Sequence, residues 1–556
     1  MDNGSISEYF SLWAKLMDIH GENSFKAKSY SSAAFTIDRL PEPLQNVPAA
    51  ELSKIKGIGE STARAITELL TTGKILGLEE LISRTPEGIL EMMRIKGLGP
   101  QKIAVIWNEL GVESLGELMY ACNENRLSLL KGFGEKTQQN ILQQIAYYMG
   151  NMGKLLYAQV EDMTAAMLAL LTQQFAGARH EVSGAFRRQC DIIETLTWVS
   201  TTPLTALQTF WEAQGLDTES ITPGVLQMKN ANGFPVWFYS ATPETFARTW
   251  FLTSASAAWL EHQVGSAAVP DAPTEQAIFD ALQLPWTDPV HREVYPLLTP
   301  QQTEPLIQPA DVKGIIHSHS NWSDGVNTLP EMAEACISQG LEYLVISDHS
   351  QTAFYANGLK ADRIREQHLL VDELNSRYDH FKIFKSIESD ILNDGSLDYP
   401  DAVLDTFDLV IASVHSNLKM SPEKAMQRVL TAIRNPYTSI LGHMTGRLLL
   451  SRPGFPVDHK LIIDACKAHD VVIEINAHPR RLDMDWAWIP YAMEQGVLLS
   501  IDPDAHSIAG YKDVKYGVLS AQKGGLTAAA NLSSFDRAAM EAFIVRQKNK
   551  RKILSV

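Results

Sequence analysis

A chain of 556 residues, at roughly 100–200 residues per domain, predicts three or four domains. With 45% hydrophobic and 20% charged residues it is not collagen-like, low-complexity or disordered. No apolar run reaches the ~18–20 residues of a membrane span, and the opening MDNGSISEYFSLWAKL is acidic and amphipathic, so a cytosolic protein without membrane partners is expected. A formal net charge of −17 excludes a surface that coats nucleic acid along its whole length, so any DNA contact must be local.

Residues 1–150 are predicted as short amphipathic helices and carry only −3 of that charge. One signal occurs three times, as IKGIG (Ile55 to Gly59), IKGLG (Ile95 to Gly99) and LKGFG (Leu130 to Gly134). The glycine pairs, Gly57 and Gly59, Gly97 and Gly99, Gly132 and Gly134, permit a tight turn with backbone close to a ligand. The helix that follows each pair directs free N–H groups outward, where a phosphate can sit. Lys56, Lys96 and Lys131, with Lys54, Lys102 and Lys136 nearby, supply local positive charge. The expected partner is DNA, held by its backbone without regard to sequence. These segments resemble helix-hairpin-helix motifs, and their placement resembles the amino-terminal domain of the family X DNA polymerases. Lyase-competent members of that family use lysines in the helix after the first hairpin. Here that helix reads ESTARAITELL, with Ser61 and Ala65 at those places, and Arg64 is no Schiff-base nucleophile. The resemblance therefore implies DNA binding without lyase chemistry.

Residues 151–300 mix a helical stretch, MTAAMLALLTQQ, with strand segments TLTWVST and FPVWFYSA. GAFRRQCDIIETLT, Gly184 to Thr197, is similar to the opening of the family X palm, which implies an α+β nucleotidyltransferase-like fold. The paired metal-binding aspartates of the family fall on Thr195 and Thr197, and the third falls on Trp237. Two-metal nucleotidyl transfer needs carboxylates to hold paired Mg²⁺ ions, so polymerase activity is expected to be lost. Asp191 and Glu194 are misaligned as substitutes, and Arg187 and Arg188 read equally as salt-bridge partners or phosphate ligands.

A Pro- and Gln-rich passage, residues 297–314, is read as a linker into a third region, 301–556. Seven strand segments follow: GIIHSHS, YLVISDH, FKSIESDI, LVIASVH, SILGHM, VVIEINAH and LLSIDPDAH. Almost every one ends in His, Asp or Glu, and in a parallel (β/α) barrel such ends meet at one mouth. Eleven of the fifteen histidines fall between His317 and His506. The spacing of His317 and His319 predicts both on one face of a strand, and Asp504 and His506 repeat it. Mixed imidazole and carboxylate donors suit Mn²⁺, Zn²⁺ or Fe²⁺.

The motifs HSHSNWSDG, SDHS, SIESDIL, SVHS, GHMTGR, EINAHPRRLD and PDAHS resemble the polymerase-and-histidinol-phosphatase (PHP) domain, a distorted TIM-like (β/α)7 barrel. By this resemblance three metal ions would be held by His317, His319, Asp324, His349, Glu388, His415, His443, Asp504 and His506. Arg447 is a candidate phosphate clamp or a structural ion pair, and Arg481 and Lys419 are further candidates for the clamp. His478 stands where the family tends to have Asn. The four cysteines, Cys122, Cys190, Cys336 and Cys466, are too scattered for a metal knuckle and are expected as buried free thiols in a monomer. The expected activity is 3′–5′ exonucleolytic trimming or abasic-site cleavage during DNA repair. A small-molecule phosphatase of the histidinol phosphate type and a non-enzymatic DNA-binding scaffold are the alternatives.

Overall fold

The computed structural model describes residues 1–40, 42–293 and 305–554, so positions 297–304 of the expected linker lie outside the described residues. The chain divides into two compact units, one ending at Met152 and one beginning at Gly153.

The first unit is wholly helical around a core that includes Phe10, Leu16, Ile66, Ile103 and Ile141. Each Gly-x-Gly segment leads into a helix: Glu60–Thr72, Pro100–Leu110 and Glu135–Asn151. The apolar residue between each glycine pair, Ile58, Leu98 or Phe133, is buried in that core and anchors the turn.

The second unit opens with a two-stranded ribbon, β1 (Leu155–Leu156) and β3 (Ile192–Ile193). Beside it β2 (His180–Ser183), β4 (Leu196–Ser200), β5 (Thr218–Thr222), β6 (Val225–Lys229) and β7 (Pro235–Ser240) form a sheet in the order β2-β4-β7-β6-β5. Only β4 and β7 run parallel within it. Alternation along β4 and β7 turns Leu196, Trp198, Val236 and Phe238 into the core against the helix Tyr157–Gln174.

All seven strand segments expected after the linker form, as β8 (Gly314–Ser318), β9 (Tyr343–Ile346), β10 (Lys382–Asp390), β11 (Leu409–Ser413), β12 (Ile440–Leu441), β13 (Val472–Asn476) and β14 (Leu499–Asp502). They are parallel and pair in sequence order. A bridge between Ser318 and Ala505 nearly closes the ring into a (β/α)7 barrel. The strands are buried along their length, as parallel strands covered on both faces must be, except that β10 is half-buried at Lys382 and Lys385. The last helix, Arg537–Leu554, packs Met540, Phe543 and Ile544 against strand-start residues such as Tyr343, Leu409 and Val472. It thereby covers the end of the barrel opposite the carboxyl ends of the strands.

The five-stranded region and the barrel are pinned together within this unit. Lys523, 1% exposed, donates to the carbonyls of Arg188 (2.9 Å) and Val290 (3.2 Å) and lies 3.3 Å from Glu293. Leu156 from β1 packs with Leu449 and Leu482 of the barrel. Cys122, Cys336 and Cys466 are buried free thiols, whereas Cys190 is half-buried with its Sγ 3.3 Å from Glu293. Among the described residues no helix is long and apolar enough to cross a membrane.

Candidate metal centre

The nine side chains expected at the barrel mouth come together there. Three overlapping groups, His319 with Asp324, His349 and His506, His317 with His319 and Asp504, and His349 with Glu388 and His415, each offer ligand atoms within 4.8 Å of one another. Glu388, inside β10, is the hub: its carboxylate lies 2.9 Å from His349, 3.0 Å from His415, 3.1 Å from His443 and 3.3 Å from His317. Asp324 reaches the rim histidines, 3.4 Å from His506 and 3.7 Å from His349.

The route by which His317 and His319 meet differs from simple strand alternation. The ladder between β8 and β9 slips between Ile315 and Ser318, His317 is left-handed with φ 56°, and His319 lies beyond the strand end. Asp504, with φ 51°, and His506 likewise follow the end of β14. Left-handed backbone at a non-glycine residue is costly. Here it occurs at two of the nine positions and turns their side chains inward. Gly325 is required next to Asp324, since a Cβ there would lie 2.1 Å from the carbonyl oxygen of His319.

A surrounding layer orients the donors. Glu474, buried in β13, accepts from His317 Nδ1 at 2.5 Å, which turns Nε2 toward Glu388, and its other oxygen accepts the backbone N–H of His443 at 3.0 Å. Asp390 holds His415 Nδ1 in the same way. Asn476 donates to Glu474 and Asp504 at 2.9 and 3.2 Å. Asp348 accepts four bonds from Ser320 and Ser323 that fix the HSHSNWSDG loop, and a fifth from Gln367. Sequence reasoning gave no role to these four residues, although each lies within or beside a recognised motif as a buried polar group near a histidine.

Two features fit the mouth to divalent cations. His349 Nδ1 and His317 Nε2 face the Glu388 carboxylate at 2.9 and 3.3 Å, and His319 Nδ1 and His443 Nδ1 are buried without a hydrogen-bond partner. Each such atom costs about 1–3 kcal/mol if nothing satisfies it. The donors are also imidazoles and carboxylates, with no thiolate among them. Burial would raise the Glu388 pKa, but His415, His317 and His349 outweigh it and hold it well below the usual carboxylate range. Burial likewise works against the charge on Asp504, and His317 and His319 overcome it. The carboxylates thus demand positive charge, which protons on the imidazoles or cations between them can supply.

Arg447 stands outside this ring. It donates to Asp485, to the carbonyls of Leu482 and Arg481 (2.9 Å), and to Asp191 of the five-stranded region at 3.2 Å. Its surroundings match the structural ion pair rather than the phosphate clamp, because these partners engage all three guanidinium nitrogens. Arg481 is the arginine beside the cluster, 3.6 Å from Asp504. His478 accepts the N–H of Arg480 and belongs to none of the three groups.

In the five-stranded sheet Thr197 and Trp237 are directly paired across β4 and β7, and Thr195 stands just before β4. Trp237 donates to Gln227, and Thr197 packs against Gly184. Asp191 is held by Arg447 and Glu194 by Lys154 at 2.7 Å. Arg187 and Arg188 are half-buried ion-pair partners of Glu275 (2.6 Å) and Glu293 (2.7 Å). Among the described residues, the three groupings of possible metal ligands all lie in the barrel.

In the first unit the three hairpins repeat one backbone. Gly57, Gly97 and Gly132 have φ of 93°, 90° and 88°. Gly59, Gly99 and Gly134 each precede a helix whose first N–H groups have no side-chain cap. Lys56, Lys96 and Lys131 are exposed beside these turns.

Residues 1–75 match the family model of a helix-hairpin-helix domain, and residues 89–146 that of a SAM-like helix-hairpin-helix tandem. The chain is 31% identical over 562 aligned positions to the DNA polymerase/3′-5′ exonuclease PolX of Bacillus subtilis (strain 168), covering 96% of this chain and 97% of that protein. Over 208 residues it is 27% identical to probable phosphatases of Thermoanaerobacter sp. (strain X514) and Thermoanaerobacter pseudethanolicus (strain ATCC 33223 / 39E), a match to 34% of this chain and 77% of each relative. With a helix-hairpin-helix region, an α+β sheet and a seven-stranded barrel in that order, and this likeness along nearly its whole length, the chain belongs to the family X DNA polymerases that carry a PHP domain.

Proposed function

We propose that this chain is a DNA repair enzyme that grips DNA without regard to sequence through residues 1–150 and hydrolyses its phosphodiester bonds in the barrel of residues 301–556. The cut is 3′–5′ exonucleolytic or falls at abasic sites. Residues 151–300 keep a palm-like fold and have lost nucleotide addition. The observation that carries this reading is the convergence of Glu388 and eight further donors at one mouth, where the buried His319 Nδ1 and His443 Nδ1 lack partners.

His317, His319, Asp324, His349, Glu388, His415, His443, Asp504 and His506 would hold three divalent ions, Mn²⁺, Zn²⁺ or Fe²⁺. Such ions supply Lewis-acid activation of water and neutralise charge on the phosphate. The protein's own part is orientation: Glu474 and Asp390 fix the imidazoles, and Arg481 presents a guanidinium at the edge of the cluster.

DNA binding is supported by the first unit. The leading glycines of the hairpins are left-handed, and a Cβ added at Gly59, Gly99 or Gly134 would meet no protein atom within 4 Å. The trailing glycines therefore leave room for a molecule from outside, which uncapped helix N-termini and exposed lysines suit to a phosphate backbone. Loss of nucleotide addition is supported by the neighbouring Thr197 and Trp237, and by the ion pairs that already occupy Asp191 and Glu194.

The probable phosphatases among the relatives favour a second reading, hydrolysis of a small phosphomonoester. One assay separates the two: purified full-length protein with Mn²⁺ on end-labelled single-stranded, recessed and abasic DNA, beside a small phosphomonoester. Efficient hydrolysis of the monoester with every DNA end and abasic site untouched would replace the nuclease with a phosphatase. Primer extension with dNTPs and Mg²⁺ or Mn²⁺ tests the palm. Extension that survives Asp191→Asn with Glu194→Gln would show that the palm positions are misassigned.

A further inference from the structure

The loop between β9 and the helix Ala361–Asn375 carries His349 and, five residues later, two aromatic side chains that the fold does not use. Phe354 is 86% exposed and Tyr355 56% exposed. The loop itself is tightly held. The N–H of Thr352 donates to Asp398 at 2.7 Å and its hydroxyl to Asp390 at 2.8 Å. The N–H of Leu359 returns to the carbonyl of His349 at 2.9 Å, and Asn357 donates to the carbonyls of Trp322 and Ser323 at 3.2 and 3.3 Å. Ala353 and Ala356 are buried beneath the turn, and a Cβ at Gly358 would lie 1.8 Å from the carbonyl oxygen of Ser350. A rigid turn that leaves a whole phenyl ring in water forgoes the stabilisation its burial would give, so the reason for these rings lies outside the fold.

Their position supplies one. The Tyr355 ring centroid is 6.5 Å from that of His349, and Phe354 follows at 6.1 Å from Tyr355. The Tyr355 hydroxyl lies within electrostatic reach of Asp390, Glu388 and Asp324, and also of Arg481. Arg480, next to Arg481, is exposed. The mouth therefore combines cationic groups that suit a phosphate with flat apolar rings that suit a base, and it does so at the edge of the donor cluster.

We propose that Phe354 and Tyr355 form a stacking platform for the terminal base of the DNA strand being cut. This rests on the reading of the barrel as a DNA phosphodiesterase. Every base has a π-face, so stacking is indifferent to sequence, and a base still paired within a duplex cannot splay onto a protein ring.

The test uses the full-length protein with Mn²⁺ and three substrates: an end-labelled single-stranded oligonucleotide, the same strand with an abasic terminal residue, and bis(p-nitrophenyl) phosphate. Combined Phe354→Ala and Tyr355→Ala should lower kcat/KM on the intact strand about tenfold to hundredfold, mainly through KM. The ratio of that constant to the one for the abasic end, which has no ring to stack, should fall by the same factor. Wild type should already be slow on the abasic end, with no further loss in the variant, and Phe354→Trp should retain the preference. A double variant that matches wild type in its discrimination between intact and abasic ends overturns the platform. The platform is equally overturned if the substitutions change only the elution volume, which would assign the rings to contact between copies of the chain. Hydrolysis of bis(p-nitrophenyl) phosphate by a wild type that leaves all DNA intact is a different failure, that of the nuclease reading itself.

Discussion

The two sheets of the second unit differ in what their polar residues do. In the five-stranded sheet Thr195, Thr197 and Trp237, which we propose stand where the family has aspartates, offer no carboxylate, while at the barrel mouth nine donors are gathered and four further polar residues orient them. The difference lies in what each set of residues does for the fold. Thr197 and Trp237 alternate with Leu196, Trp198, Val236 and Phe238, which build the core from the other face. A site on the outer face of a sheet can be replaced while the core face keeps the sheet intact. The barrel donors have no such separation. Glu388 is 1% exposed and His317 and His319 are fully buried, so their polar atoms must be satisfied in place.

The most severe way to break this comparison is to remove carboxylate or imidazole donors from the barrel. His349→Ala or Asp504→Ala should cost about 10³-fold or more in metal-dependent hydrolysis, several kcal/mol at 1.4 kcal/mol per factor of ten. DNA affinity in a gel-shift assay should stay near wild type, because the hairpins lie in the other unit. Retention of more than a tenth of the cleavage rate by either variant would remove that residue from the site.

The contact between the two sheets offers the next test. Arg447 is a half-buried cation held by Asp191 and Asp485, with burial opposing its charge and the two carboxylates outweighing that. Asp191 comes from the palm-like region, where burial lifts its pKa to about 6 against the pull of Arg447. Removing one member of a fully buried pair strands the other at about 3–5 kcal/mol, and a half-buried pair costs less, about 1–3 kcal/mol. Arg447→Ala should therefore lower the thermal unfolding midpoint by several degrees, whether or not Mn²⁺ is present. A midpoint within a degree of wild type, together with a large loss of cleavage, would return Arg447 to the phosphate-clamp role.

Much of this was legible in the sequence because the barrel writes its chemistry at strand ends. All seven strand segments could be read from the placement of His, Asp and Glu after apolar runs, and the set of nine donors, which the structure brings together, followed from the resemblance of the motifs. The way His317 and His319 meet could not, since a slipped ladder and a left-handed residue break the period of two that strand alternation assumes. Glu474 and Asp390 were hidden for a related reason: a carboxylate that orients a ligand looks the same in sequence as one that binds metal. The role of Arg447 depends on Asp191, 256 residues away in the chain, and no local pattern encodes that pairing.

The hairpins sharpen the comparison from outside the second unit, because their glycines separate a need of the fold from a need of a ligand. A Cβ at Gly59, Gly99 or Gly134 meets no protein atom within 4 Å, and these residues have ordinary negative φ. The triple variant Gly59→Ala, Gly99→Ala, Gly134→Ala should keep the helical circular dichroism and unfolding midpoint of wild type, yet bind duplex DNA at low salt about tenfold more weakly. Gly57→Ala should act differently, since φ of 93° and a contact of 2.7 Å to Thr36 strain any side chain, and about 1 kcal/mol of stability should be lost. Unchanged DNA affinity in the triple variant would show that the trailing glycines serve no ligand.

The smallest effect concerns a histidine of the barrel that lies outside the cluster and so serves as its internal control. His368, on the helix Ala361–Asn375, packs edge-on against Phe407 at 5.0 Å, and its Nε2 is buried without a hydrogen-bond partner. Burial, with Lys385 nearby, lowers its pKa from 6.5 to about 4, so the fold holds the neutral ring. Between those values the unfolded chain binds more protons than the native one. The contribution of His368 to stability is therefore complete above pH 6.5 and is lost as pH falls toward 4. Allowing for partial solvent screening, the loss at pH 5 is about 1 kcal/mol. His368→Gln should narrow the difference between unfolding midpoints at pH 7.5 and pH 5.0 by a degree or two on the scale of a barrel this size, about 2–4 °C per kcal/mol. That narrowing should be the same with Mn²⁺ or with EDTA, because His368 packs against a ring and has no cation to share. Identical pH dependence in wild type and variant would mean that His368 is solvated, and an effect that appears only with Mn²⁺ would place it in the metal site after all.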